Sequence, residues 1–242
     1  MNENKSKSKL IRLNKFISSS GVCSRREADL HISIGNVSVN GKIVTEMGLK
    51  VSIDDDVRFD GSIVRPQKKL YILVNKPKGW SVRSSEGRGR SILKLLSKFS
   101  FSNIESYGNH GRDSSGLLLL SNDHILQSKF SNPKAIIKCL FHVKLDRPLK
   151  PKHFDELSND FNLKRRLIKI PEISYVEGST KDEVGLQLNF FDIQLVKKIF
   201  MELKYKIRSL DCVTIGPLTK KDLPRGKWKH LSKIELSQLM ML

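Results

Sequence analysis

The spacing of apolar residues changes period twice within the first 65 positions. From Leu10 they recur at helical spacing: Leu13, Phe16 and Ile17 share one face, while Arg12 and Lys15 point elsewhere. Gly21 breaks the run. Ser24-Arg25-Arg26-Glu27 then forms a capping box, with the Ser24 hydroxyl accepting from the third helical amide and Glu27 reaching back. This predicts a second helix from Arg25 to about Ile34, stopped by Gly35. Beyond it the period falls to two. Val37-Ser38-Val39, Asn40-Gly41 and Lys42-Ile43-Val44 predict a tight hairpin, and residues 57–64 around Asp60-Gly61 a second turn of the same kind.

The charged segment 65–69 has the composition of a linker. After it, apolar runs predict strands at 70–74, 117–120, 140–145, 185–188 and 206–215. Helical spacing predicts helices at 91–99 and 195–203. A second capping box, Ser232-Lys233-Ile234-Glu235, precedes a short terminal helix. Strands and helices mix without strict alternation, so the expected fold class is α+β with a mainly antiparallel sheet. The expected organisation is a disordered basic lead over 1–9, a small helical and hairpin module over 10–64, a linker over 65–69 and a larger domain over 70–242. Phe99, Phe101, Phe190 and Phe191 are expected in the core.

Charge narrows the partner. The chain of 242 residues carries 44 Lys and Arg against 25 Asp and Glu, a formal charge of +19. Such a surplus repels itself unless something anionic is near, and nucleic acid is the commonest such partner. No apolar run has the length of a membrane span and no long basic amphipathic helix is present, so no membrane partner is predicted. The polar start, MNENKSKSKL, lacks a signal-peptide core, and a cytoplasmic location is expected. Cys23, Cys139 and Cys212 are odd in number and far apart, which fits neither a disulfide framework nor a zinc site. The histidines show no ligand spacing, and His110, alone in a loop, is expected to be solvated. Asp54-Asp55-Asp56 reads as a turn.

Arg12, Lys15, Arg25 and Arg26 fall on the two predicted helices of the small module. Cations at a helix start oppose the macrodipole, so Arg25 and Arg26 ask for another reason, and phosphate binding is one. IRLNKFISSSGVCSRREADLHISIGNVSVNGKIV resembles the S4 RNA-binding domain in the order of its helices, glycines and Val-x-Val-Asn-Gly turn. The resemblance implies binding of structured RNA.

The remainder is similar to the catalytic domain of the S4-linked bacterial ribosomal RNA pseudouridine synthases. YILVNKPKGW, SGLLLLSND, the run 213–218 and the run 223–228 match its landmarks in order. The resemblance implies uridine isomerisation without metal or organic cofactor and a partner in ribosomal RNA or the ribosome; the sequence does not fix the oligomeric state, with a monomer favoured. In that family an aspartate in a Gly-Arg-Leu-Asp loop acts on the sugar, the neighbouring arginine holds the flipped nucleotide, and a tyrosine stacks on the base. Without gaps, that loop falls on Gly108-Asn109-His110-Gly111. Asn109 then stands for the arginine, Gly111 for the aspartate and Phe141 for the tyrosine, while Cys139 replaces a basic residue. These are degenerate active-site positions, and glycine has no group able to attack a sugar. Lys76, Lys78, Lys197 and Lys198 remain as expected RNA contacts beside Arg12, Lys15, Arg25 and Arg26. The expectation is an RNA-binding member with catalysis lost. Two alternatives stand: an active isomerase in which Gly111-Arg112-Asp113 supplies Asp113 as the carboxylate, and a general nucleic-acid-binding protein.

Overall fold

The computed structural model describes residues 10–82, 90–96, 104–108, 110–132 and 134–242. The expected basic lead, the last three residues of the expected 91–99 helix (Phe99 among them), Phe101 and Asn109 lie outside the described residues. The chain divides into two compact units at Lys68/Lys69.

In the first unit, helices Leu13–Ser20 and Arg25–Ser33 bury Leu13, Phe16, Ile17, Ala28 and Ile32 against Val37, Val51 and Val57. The first helix starts later than the apolar spacing predicts. Ile11 pairs with Val51 as a strand, and the amide of Leu13 donates to the Leu49 carbonyl at 2.8 Å. Both halves of the Ser24–Glu27 capping box are made. A four-stranded antiparallel sheet follows, ordered Lys42–Ile43, Val37–Val39, Val57–Phe59, Ser62–Ile63. Its turns Asn40-Gly41 and Asp60-Gly61 have positive φ at both residues (50° and 80°, 47° and 76°), the geometry that favours these residue types. The segment 65–69 is fastened rather than loose. The Gln67 amide N–H and side-chain amide donate to the Ser19 and Ser20 carbonyls, each at 2.9 Å, closing the end of the first helix.

The second unit is built on a nine-stranded sheet. Its main path runs Glu172–Tyr175, Glu183–Leu188, Cys139–Leu145, Ile207–Ile215, Ser115–Ser121, Tyr71–Lys76, Trp228–His230. Among the described residues, every pairing between strands of this sheet is antiparallel except that of Ser115–Ser121 with Ile207–Ile215. The run Leu117–Leu120 is apolar throughout because both faces of its strand are covered. Leu117 and Leu119 pack with Val196, Ile199 and Phe200 of helix Ile193–Glu202, whereas Leu118 and Leu120 pack with Ile92 and Leu96. Helices His124–Phe130 and Pro151–Ser158 and the hairpin Phe161–Leu163/Arg166–Ile168 carry no strong sequence signal. The hairpin turn, Lys164-Arg165, has none of the usual turn chemistry, yet both residues have positive φ (48° and 68°). Each such residue costs about 1 kcal/mol or more of backbone strain.

Two glycines bound the loop that precedes Ser115–Ser121. A Cβ on Gly116 (φ +102°) would lie 2.2 Å from the Cys212 carbonyl oxygen, because the parallel register sets the two backbones side by side. A Cβ on Gly108 (φ +106°) would lie inside the Phe191 ring. Gly116→Ala is therefore expected to destabilise the second unit by about 3 kcal/mol or more, from strain plus overlap with rigid backbone. Gly178→Ala, also at positive φ (+76°) but with open space around it, is expected to cost only about 1 kcal/mol. Urea unfolding of both variants reads the difference, and equal losses would contradict this account.

Candidate active-site loop and nucleic-acid interface

The loop between Gly108 and Ser115 is held by its backbone. Strand Tyr71–Lys76 lies antiparallel to Ser115–Ser121, which brings Lys76 opposite Gly116 and the turn after it under the loop. The Gly79 amide donates to the Arg112 carbonyl at 2.6 Å. Lys76 is fully buried, and its amine donates to the Ser114 carbonyl at 2.6 Å. Burial lowers that amine to about 8, a shift only partly opposed by the charge of Asp113. His110 is also buried. Its Nε2–H donates to the Leu117 carbonyl at 2.7 Å, which leaves Nδ1 as an acceptor. The single Ser114 hydroxyl proton faces two acceptors, the Gly111 carbonyl at 3.1 Å and His110 Nδ1 at 3.3 Å. Desolvation pushes the His110 imidazole down to about 3, so it is neutral at physiological pH.

Asp113 leans out of this frame. Its carboxylate accepts from Lys197 at 2.5 Å and is 62% exposed. Burial raises its pKa, but the Lys197 hydrogen bond and charge outweigh that and hold it below the usual carboxylate range. Gly111 lies directly beneath. A Cβ there would be 2.6 Å from Asp113 Oδ1 and 3.5 Å from Lys197 Nζ, so the Asp113–Lys197 pair occupies the space a side chain at 111 would claim. The pair borders a cleft of about 190 Å³ that also carries Lys78, Arg208 and Tyr205. Three cations face one carboxylate, a balance suited to an anionic ligand. The Tyr205 hydroxyl is engaged elsewhere, by the Lys150 amide at 3.0 Å and His153 at 2.9 Å. A larger cavity of about 410 Å³ borders Gly108 and Phe191, but it sets Glu105 and Asp192 against Arg166, the wrong sign for phosphate.

The S4 domain family matches residues 11–57. Ribosomal large subunit pseudouridine synthase B of Bacillus subtilis is 37% identical over 235 residues, covering 96% of each chain. An uncharacterized RNA pseudouridine synthase of Aquifex aeolicus is 31% identical over 233 residues, covering 95% of this chain and 93% of its own. The chain belongs to the S4-domain RNA pseudouridine synthase family. The fold agrees with a solved pseudouridylate synthase at a TM-score of 0.64 and 22% identity, covering 95% of this chain and 99% of that one.

Of the residues expected at synthase-family positions, Gly111 lies beneath the Asp113–Lys197 pair that borders the cleft, whereas Phe141 lies away from it. Phe141 is fully buried and its ring meets Phe191 edge-on at 5.7 Å, so it offers no open face to a base. Lys76 likewise cannot reach a phosphate, because its amine is enclosed and spent on the Ser114 carbonyl. Lys78 is exposed, with its amine on the Arg208 carbonyl at 2.9 Å, and Lys198 is exposed on the helix that carries Lys197. Lys15, Arg25 and Arg26 are exposed on the two helices of the first unit, and Arg12, expected on the first helix, is exposed on the strand Ile11–Arg12 that precedes it. No group of His, Cys, Asp and Glu among the described residues is arranged to hold a metal.

Two residues escaped the sequence reading. His110, expected in solvent, fills a closed slot against Phe191, with ring centres 5.3 Å apart; its place at the family's apolar leucine position was the available signal. Asp211 is buried and accepts from Arg225 at 2.5 Å, from Ser115 at 2.7 Å and from Lys220. Burial raises its pKa, but these three partners outweigh it and keep the carboxyl ionised. A lone acid inside an apolar strand run signals such a pairing.

The His110 geometry has a consequence for acid stability. The unfolded histidine gains a proton near pH 6.5, whereas the folded one stays neutral down to about 3. The unfolded state therefore binds more protons in that window, and stability is lost as pH falls through it. Between about pH 6.5 and 4.5 the wild type is expected to lose about 2 kcal/mol more than His110→Leu. Urea midpoints that fall in parallel for the two proteins would contradict the buried neutral imidazole.

Proposed function

We propose that the protein binds ribosomal RNA and that uridine isomerisation through the family's loop has been lost. The observation that carries this reading is the bare backbone at Gly111, where the family's aspartate falls in the gap-free alignment. The enclosure of Phe141, which lacks a hydroxyl, supports it. A base flipped from its stack at a cost of a few kcal/mol would meet neither a stacking face nor a C5 proton acceptor at position 141. What persists is the means of grip. Arg12, Lys15, Arg25 and Arg26 are exposed on an S4 domain, Lys78 and Lys197 line the cleft, and Lys198 is exposed on the same helix as Lys197. A relative 37% identical over nearly the full length is named ribosomal large subunit pseudouridine synthase B, which favours ribosomal RNA as the ligand.

A second reading is favoured by one distance. Asp113 Oδ1 stands 2.6 Å from the place a Cβ on Gly111 would take. A carboxylate, ionised and paired with a cation, thus faces the cleft from two residues downstream. In that reading Asp113 performs the attack and Lys197 steadies it.

Tritium release from C5-labelled uridine in ribosomal RNA transcripts separates the two readings. No release, with binding in the same tubes, is expected. Stoichiometric release that disappears in Asp113→Asn would overturn the loss of catalysis and establish the second reading. Charge reversal at Arg25→Glu/Arg26→Glu is expected to weaken transcript binding by about tenfold or more near physiological salt, since two phosphate contacts become repulsions. Unchanged affinity would remove the S4 domain from the interface.

A further inference from the structure

Four hairpins among the described residues close through two-residue loops, with Val39 opposite Lys42, Phe59 opposite Ser62, Leu163 opposite Arg166, and Ile215 opposite Leu218. The first three loops have positive φ at both residues, whereas in the fourth, Gly216-Pro217, only Gly216 does (55°). Two use Asn-Gly and Asp-Gly, the pairs this backbone favours. The third uses Lys164-Arg165, two long cations with no turn preference, held in a left-handed conformation.

The strain is carried on a rigid base. Phe161, Leu163 and Ile168 are buried in the main core, while Lys164, Arg165 and Arg166 are exposed. None of the ion pairs among the described residues involves Lys164 or Arg165. Arg166 lines the cavity that Glu105 and Asp192 also line. The two turn cations are left projecting from a fixed hairpin at a backbone cost that no internal contact explains. Strain kept at an exposed site points to a ligand, and the charge and length of these side chains suit phosphate oxygens.

We propose that the Phe161–Ile168 hairpin is an RNA-contacting finger whose Lys164-Arg165 turn grips two backbone phosphates outside both the S4 domain and the cleft. This rests on the ribosomal RNA reading above. The finger contributes affinity and salt dependence but no base recognition, because neither residue is placed by neighbours to read a base edge.

The variant Lys164→Asn/Arg165→Gly tests it, because it supplies the favoured turn residues while removing both cations. The thermal midpoint of the second unit is expected to rise by about 2–4 °C or more. The slope of log affinity against log salt for a ribosomal RNA transcript is expected to shrink by about 1.8. The wild type should then lose about tenfold more affinity than the variant between roughly 50 and 200 mM salt. A raised midpoint with an unchanged slope would overturn the inference alone, leaving two solvated cations in a poor turn. A lowered midpoint would overturn it too, by removing the strain on which it stands. Wild-type protein that does not bind the transcript would sink the ribosomal RNA reading as well. Arg25→Glu/Arg26→Glu, measured alongside, shows how the slope responds when a different pair of cations is reversed.

Discussion

The parallel contact between Gly116 and Cys212 is the constraint on which the candidate site depends. It sets two backbones so close that no side chain fits between them, and it does so where the sheet hands the chain to its functional loop. From there the loop is tied by main-chain groups: the carbonyls of Arg112, Ser114 and Leu117 accept from the Gly79 amide, the Lys76 amine and the His110 imidazole. Backbone ties do not specify the loop's own side chains. A scaffold of this kind keeps its shape when its chemical groups change, which is what the proposed reading of Gly111 requires of the loop.

Burial divides the cations into two kinds. Lys76 is enclosed, depressed to about 8, and acts as an internal strut. Asp211 is its counterpart of opposite sign, a buried acid answered by Arg225 and Lys220 on the neighbouring segment. Removing one partner from such a set leaves an uncompensated buried charge, which is far costlier than losing a surface pair. The remaining surplus is displayed on the surface. Lys197 stands between the two kinds, facing the cleft yet committed to Asp113, so the local field there is weaker than a count of lysines suggests.

The fold was legible wherever pattern and chemistry agreed. Leu13, Phe16 and Ile17 face one core, both capping boxes form, and Asn40-Gly41 and Asp60-Gly61 close their hairpins. It was illegible where tertiary contacts override local preference. Ile11 leaves the helical pattern because Val51 offers a strand partner, and Lys164-Arg165 turns where no propensity asks for a turn. At the site, the expectation for Gly111 comes from the gap-free resemblance to the family's loop. The enclosure of Lys76, His110 and Phe141 could not be read from the sequence, since burial depends on Phe191 and Ser114 arriving from distant parts of the chain. The nearness of Asp113 to the space above Gly111 is likewise a property of the folded loop.

Competition binding tests the central claim most directly: a labelled ribosomal RNA transcript challenged by unlabelled transcript or by duplex DNA of equal length, at physiological salt. A family member that has kept specific grip is expected to be displaced by the RNA at concentrations at least about a hundredfold lower than by the DNA. Equal displacement by both would contradict the account, leaving a basic surface that coats any nucleic acid.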